Sequence, residues 1–556
     1  MDRKKVRFHL LYIRKKIKQE GRILGNHKGQ ITVMLSLLLT VILLFLLVCS
    51  EGVFLALSKS RLSRNMITAG ESALADYNLF LWERYHLFAL DKTYGGMGED
   101  ALTVKLQNCM LQQGQECQGI AGLYSSSVKE LEVKQLLSYC EDIEILKNQI
   151  REYMKYKTLQ EGWEHLNSIW NQNTAKEVDA AKSDVVQAEQ RKEEGDKVQE
   201  SKAAVSDTDP AARETKAAGQ ETAESKTQLQ QTKSKGQDPR DELKQALKLD
   251  IVELVTGRSD LSKESYGLKN LEQDMKVAKA SEIRESPVSF SSADEILDRL
   301  SIFDDMNQWG SELSTETLAL SYTASHFLSL CPKDGTLSAD MKDASMQCQY
   351  EYLIAGKDSD YANAKAIINC LVALRFPLNY IYVIKQPEQV ASAQTLAVEL
   401  VGASLNPAAV EVVAYLLLAC ESYAESVLDV RDLVHGGKIP LKKTNESWHV
   451  SLTGLASMLL EGEGGDKQID SEDGLSYQDY LALLLAVMPD KEQKYRRMIC
   501  VMDYEGKKQD PDFAMTNMIA GFYLRMRLHL NPVFCGGAGG LGQSGYTFNY
   551  EKMFSY

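Results

Sequence analysis

Histidine and cysteine are the residues whose spacing would most readily announce chemistry, and neither forms a working set in this sequence. The eight histidines, His9, His27, His86, His165, His326, His435, His449 and His529, include no HExxH and no pair at metal-ligand spacing, so each reads as a structural residue. The ten cysteines include no CxxC. Cys109 with Cys117 or Cys140, and Cys331 with Cys348, have spacings compatible with disulfides in an oxidising compartment. Cys370 and Cys420 fall in apolar helical patterns and read as buried thiols. Gly540, Gly542 and Gly545 satisfy GxGxxG, but a dinucleotide fold needs a βαβ unit that the last residues cannot supply. The acidic run from Glu461 to Asp473 lacks the ligand order of a calcium loop, because Gly474 falls where a ligand belongs if Asp470 is the first. There is no GxSxG and no Walker loop. The sequence therefore predicts no catalytic, cofactor-binding or metal-binding residue, and no cofactor.

Charge distribution says more than any motif. The chain has 556 residues and a formal net charge of −14, with 63 Lys plus Arg and 77 Asp plus Glu. Residues 1 to 28 alone carry ten Lys or Arg against Asp2 and Glu20. A duplex DNA binder would need that basic surplus on its folded part, so no nucleic-acid partner is expected. Between the basic tip and the acidic body, Ile31 to Cys49 runs without a charge, and Gly52 to Leu57 extends it past Glu51. That length meets the roughly 20 apolar residues required to cross a bilayer. It is longer than the ~7 to 15 residues of a signal-peptide core and ends in Cys-Ser-Glu-Gly rather than in a cleavage site. Val48 before Cys49 argues against lipidation. Residues 30 to 57 are read as one uncleaved transmembrane helix. The positive-inside rule puts residues 1 to 28 in the cytoplasm and the bulk of the chain outside, a single-pass arrangement in the cell membrane. Val6, Leu10, Ile13 and Ile17 give the tip one apolar face suited to an anionic leaflet.

Beyond the span, Leu62, Met66, Ala69, Ala73, Tyr77 and Phe80 recur at helical spacing and predict an unbroken rod to about Leu81. Residues 58 to 170 hold this rod and a small α/β element, with strands read at Leu102 to Leu106 and around Val128, Leu131 and Val133, followed by a helix from about Asp142 to Trp170. Residues 171 to 248 have no aromatic residue and no Leu, Ile or Met before Leu229, and cannot bury a core. They read as a low-complexity helical spacer or weak coiled coil. Residues 249 to 534 regain globular composition and predict a mainly helical domain, with Pro377 kinking or ending one helix and Pro407 preceding another. The runs Trp448 to Leu452 and Tyr546 to Tyr550 are read as strands, the latter in a Gly-rich C-terminal tail, residues 535 to 556. The fold class is mostly α with minor β.

Gly29-Gln30 opening an apolar helix, Glu51-Gly52 at its outer end, an Ala-rich rod, and Tyr85 to Asp91 resemble the N-termini of TadE/TadG-like proteins of Tad (Flp-type) pilus and secretion systems. The core is similar to an uncharacterised domain family of Gram-positive bacteria through Glu351-Tyr352-Leu353-Ile354-Ala355-Gly356-Lys357-Asp358, Asn379-Tyr380, Pro440-Leu441-Lys442-Lys443-Thr444 and Tyr477-Gln478-Asp479-Tyr480-Leu481. The resemblance implies a processing position between Gly29 and Gln30. It also implies a Glu at the fifth mature residue, where this chain has Met34, and that departure points to an uncleaved, stationary subunit. Glu51 near the outer end of the span either meets a neighbouring subunit's cation or reaches the headgroups, the second being favoured.

The resulting expectation is a membrane-anchored, non-enzymatic, pseudopilin-like or assembly component. Its partners would be the lipid bilayer, other Tad-like membrane subunits, and in a homo-oligomer a second copy. A surface adhesin or envelope-binding protein, and an ectoenzyme with a dispersed active site, are the alternatives.

Overall fold

A computed structural model of the full chain describes residues 3–115, 126–158, 248–268, 271, 310–331, 345–401, 407–441, 443–444, 447–452, 474–488, 490–530 and 546–556. The spacer at 171–247, the acidic run at 461–473 and the glycines 540, 542 and 545 lie outside these residues. Along the chain come α1 (Arg3–Ala75), α2 (Leu79–Tyr85), β1 (Leu90–Asp91), α3 (Ala101–Gln115), β2 (Ser126–Ser138) and α4 (Ile143–Thr158). Then follow α5 (Ile251–Thr256), α6 (Gly310–His326), α7 (Gln349–Ala355), α8 (Asp360–Ile384), α9 (Pro387–Val401) and α10 (Pro407–Val434). The last elements are α11 (Tyr477–Ala486), α12 (Lys491–Gln509), β3 (Met518–Leu530) and β4 (Tyr546–Ser555). The chain divides into two units. The first holds residues 1–78, 88–138 and 517–556, and the second holds residues 79–87 and 139–516.

The first unit is built on α1, 73 residues long and therefore about 110 Å from end to end. Ile31 to Phe45 are exposed on every side, and the helix from Gln30 to Ala75 that contains them is long and apolar enough to cross a membrane. Further along, Met66, Ala69 and Ala73 are buried with Leu62 beside them, which is the stripe that the spacing predicts. The helix stops at Ala75 rather than Leu81, so Tyr77 and Phe80 fall beyond its end. The stripe packs on an antiparallel sheet in which β3 is central, paired with β2 along one edge and with β4 and the short β1 along the other. Phe522, Leu524, Met526 and Leu528 of β3 face α1 and α3, joined by Leu131 of β2 and Phe554 of β4. Their neighbours point outward and pair across strands, Arg525 with Glu551 at 3.1 Å and Arg527 with Glu130 at 3.1 Å. Period-two alternation thus gives the sheet one apolar and one charged face. At Gly70 the ring of Phe554 takes the place where a Cβ would stand, which lets α1 settle on β4.

Three sequence expectations are corrected here. Leu102 to Leu106 form the first turns of helix α3, because Leu102, Leu106 and Met110 recur at a spacing of four and bury one helix face. Residues 535 to 556 are not merely a tail, since β4 supplies a full-length strand. Met518–Leu530, placed by sequence in the helical domain, is the central strand.

The second unit is mostly helical. α8 runs on through Pro377 without ending, held along α10 by buried residues on both sides of the proline. Pro407 heads α10, where its missing N–H is of no consequence. Val383, Ala393, Ala397, Ala414, Leu417 and Leu418 make the seam among α8, α9 and α10. Trp448 to Leu452 is irregular rather than a strand, because its backbone N–H groups at His449 and Val450 bond to Glu425 and not to a neighbouring strand. By length and composition α8 and α10 would also qualify as membrane spans, contrary to the expectation of a single apolar stretch; both, however, pack into this unit and carry buried charges. α2 ends on His86 with φ of 51°, where the N–H groups of His86 and Leu87 close on the carbonyls of Trp82 and Leu81.

Candidate functional site

α10 presents Glu421, Glu425 and Asp429 at successive spacings of four, one face of a helix, and all three are fully buried. Two cations answer them. Arg375 of α8 places Nε 3.0 Å from Asp429 Oδ2, and Lys443 places Nζ 2.5 Å from both Glu425 Oε1 and Asp429 Oδ1. The remaining donors are also used. Arg375 Nη1 donates to the carbonyls of Pro440 and Leu441, Asn379 Nδ2 donates to Asp429 Oδ2 at 2.9 Å, and Lys443 Nζ donates to the Ser447 carbonyl. His449 Nδ1 lies 3.1 Å from Glu425 Oε1.

The electrostatics follow from this geometry. Burial alone would raise the Asp429 carboxyl, but the Arg375 guanidinium and the Lys443 ammonium outweigh it and hold it below the usual range. His449 is depressed by burial and raised further by Glu425, with a net upward shift. Asp432, one turn on from Asp429, is pushed up to about 6 by burial. Glu421 stands apart from the pairing. Both its oxygens are shielded from solvent, and the nearby Trp448 indole N–H donates to the Val450 carbonyl at 2.7 Å. Burial pushes Glu421 up to about 8.

Among the described residues, Glu425, Asp429 and His449 are near enough to share a metal ion. The position between the two carboxylates is taken by the Lys443 ammonium, and Arg375 balances the second negative charge. The cluster is thus neutralised by cations tethered to the chain. With Arg375, Lys443, Glu425 and Asp429 all at 0% exposure, it is closed to substrate, and the chemistry it carries is charge pairing between helices.

A second buried network surrounds α7. Glu351 accepts from the Leu330 N–H at 2.8 Å and from the Tyr477 hydroxyl at 2.9 Å, and burial raises it to about 7. Asp360 accepts from the Tyr266 hydroxyl and the Cys348 N–H, both at 2.7 Å. Glu505 accepts from the Met346 N–H and pairs with Arg84 at 3.1 Å. Arg497 donates to the carbonyls of Leu353 and Ile354 at the end of α7. There Gly356 takes φ of 62°, and a Cβ would strike the Arg497 guanidinium.

The sequence motifs fall on these networks. Glu351, Asn379, Lys443, Tyr477 and Tyr480 are buried residues that hold helices together, and Gly356 ends α7 against Arg497. The predicted processing residues Gly29 and Gln30 lie inside continuous helix in α1, about 32 Å along it from Glu51. Glu51 is 4% exposed. Cys348 and Cys109 are thiols, so the Cys331–Cys348 and Cys109–Cys140 bridges are not formed, and Cys117 lies outside the described residues. Sequence reading passed over Arg375, Glu425 and Asp429. The signal was the four-residue spacing of three acids inside an apolar helix, two of which, Glu425 and Asp429, are met by buried cations.

The fold is a long apolar helix, long enough to cross a membrane, on an α+β unit, together with a mostly helical unit that holds buried networks of ionisable groups. The chain belongs to the family of unknown function DUF5702, which it matches over residues 229–530, more than half its length. That match stops at the last residue of β3, so it includes the central strand without α1, β2 or β4, and does not reach the segment that resembles TadE/TadG-like proteins. No curated protein and no solved structure matches the chain.

Proposed function

We propose that this protein is a membrane-anchored, non-enzymatic, pseudopilin-like or assembly component of a Tad-type pilus or secretion apparatus, its basic N-terminus cytoplasmic and its C-terminal bulk outside. The observation that carries this reading is α1. One unbroken helix is bare and apolar through Ile31 to Phe45 and is then pinned to a sheet by Met66, Ala69 and Ala73. Such a helix couples a folded body rigidly to the bilayer and leaves apolar surface for lipid or for the anchors of neighbouring subunits. The closed ion networks agree with a scaffold, because their charges are spent on holding helices. Met34 and the continuous helix through Gly29 and Gln30 favour a stationary, unprocessed subunit over one that moves into a fibre.

Deleting the chain's gene in a host that builds a Tad-type apparatus tests the reading. Loss of assembled fibres or of secretion, restored by the full chain, supports it, and assembly at the wild-type level overturns it. Intact mass of the membrane-extracted protein, with and without prepilin peptidase, then separates a fixed scaffold from a subunit that starts at Gln30.

A further inference from the structure

Lys443 meets two acids in a place that no outside substrate can reach. Its Nζ is 2.5 Å from Glu425 Oε1 and 2.5 Å from Asp429 Oδ1, and none of the three side chains has any solvent exposure. The two contacts differ in kind. Toward Glu425 the ammonium is placed to donate a hydrogen bond, whereas Asp429 Oδ1 accepts none, so Nζ stands off the line that a hydrogen bond to it would take. We infer that Lys443 Nζ and Asp429 Cγ condense into an intramolecular isopeptide bond, with Glu425 relaying the protons.

The step balances without a co-reactant. The Cγ–Nζ bond forms and the Cγ–Oδ1 bond breaks. Of the three ammonium protons, one stays on the amide nitrogen and two pass through Glu425 to Oδ1, which leaves as water. Glu425 is in place for that relay, since a carboxylate oxygen of it lies within 4.8 Å of one of Asp429 and its Oε2 is anchored by the N–H groups of His449 and Val450. As Nζ adds to Cγ, negative charge collects on Oδ2, where Arg375 Nε already donates at 3.0 Å and Asn379 Nδ2 at 2.9 Å. Donors aimed beforehand at the oxygen that gains charge lower the barrier. Lys443 is itself held, its Nζ donating to the Ser447 carbonyl at 2.6 Å, so the reacting atoms meet without a search.

The interior favours the product. Four buried charges become two, Arg375 and Glu425, and an amide takes the place of a desolvated ion pair. The amide oxygen keeps the Arg375 and Asn379 hydrogen bonds, and its N–H keeps Glu425 as acceptor. The bond would staple α10 to the segment that follows it, whatever apparatus the chain serves.

Intact mass of the full-length protein, extracted from membranes and denatured, provides the test. The expected mass lies one water, about 18 Da, below that of the sequence. After trypsin, the peptides carrying Asp429 and Lys443 should stay joined although Arg431 and Lys438 between them are cut, with the branch at Asp429. Asp429→Ala and Lys443→Met should each restore the full mass. Glu425→Gln keeps both reacting residues and should slow the joining roughly a hundredfold. The wild-type measurement stands even if a variant fails to fold. Full mass with Lys443 open to an amine label, a mass deficit without the branched peptide, a branch at Glu425, or undiminished joining in Glu425→Gln would each overturn the proposal.

Discussion

Arg375 Nε on α8 lies 3.0 Å from Asp429 Oδ2 on α10, and neither side chain has any solvent exposure. The pair fixes two long apolar helices in rotation and in register at once, because the guanidinium also holds the Pro440 and Leu441 carbonyls and the same carboxylate holds Asn379. Apolar packing alone tolerates sliding; a buried ion pair does not.

Removing one member of that network strands its partners. Lys443→Met leaves Glu425 and Asp429 sharing fewer counter-charges in the interior and should cost about 3–5 kcal/mol. Denaturant unfolding of detergent-extracted protein measures it. Adding Glu425→Gln should restore part of the loss, whereas simple additivity would mean that the two residues act independently.

Glu421 should make stability fall as pH rises. Its folded pKa of about 8 lies above the ordinary carboxyl value, so the native state retains a proton that the unfolded chain releases. The penalty begins above about pH 4.5 and is complete above about pH 8. Glu421→Gln should therefore stabilise by roughly 1–4 kcal/mol at pH 8.5 and by almost nothing at pH 5. Thermal melts of both proteins at the two pH values check the sign.

Two glycines separate backbone strain from collision. Gly257 and Gly356 have φ of 64° and 62° at helix ends, but a Cβ on Gly257 meets open space while one on Gly356 meets Arg497. Gly257→Ala should cost about 1 kcal/mol, the ordinary left-handed penalty. Gly356→Ala should cost roughly 2–4 kcal/mol, since Arg497 must also give up its grip on Leu353 and Ile354. Equal losses in unfolding experiments would remove Arg497 from the explanation.

At Gly70 a methyl group has nowhere to go. Gly70→Ala improves helix propensity yet drives the new Cβ into the buried Phe554 ring, and a net loss of about 1–3 kcal/mol is expected. Phe554→Leu opens that space, so the double variant should be less destabilised than the sum of the two single ones. A double-mutant cycle on thermal stability measures the coupling.

The long apolar helix was legible because nineteen uncharged residues next to ten cations admit few readings, and the stripe from Leu62 to Ala73 because helical period and burial coincide. β3 was equally visible in Phe522, Leu524, Met526 and Leu528 alternating with Tyr523, Arg525, Arg527 and His529. It was overlooked because its partners β2 and β4 lie outside the helical runs that surround it in sequence, β2 roughly 380 residues earlier. Trp448 to Leu452 shows the reverse error, an apolar alternation whose N–H groups are claimed by Glu425. The ion network was hidden for the same reason as β3. Asp429, Arg375 and Lys443 meet only after α8, α10 and the following loop have packed.

Strands β2 and β3 are hydrogen-bonded neighbours, yet roughly 380 residues separate the end of one from the start of the other. At ~10 residues per second of synthesis, α1 and β2 wait about 40 s for the strand that covers them. Met66, Ala69 and the apolar side of β2 lack that cover throughout the interval. Completion of the sheet is therefore paced by the synthesis of β3, and a chain cut short anywhere before Met518 would leave the β2 edge open to its neighbours.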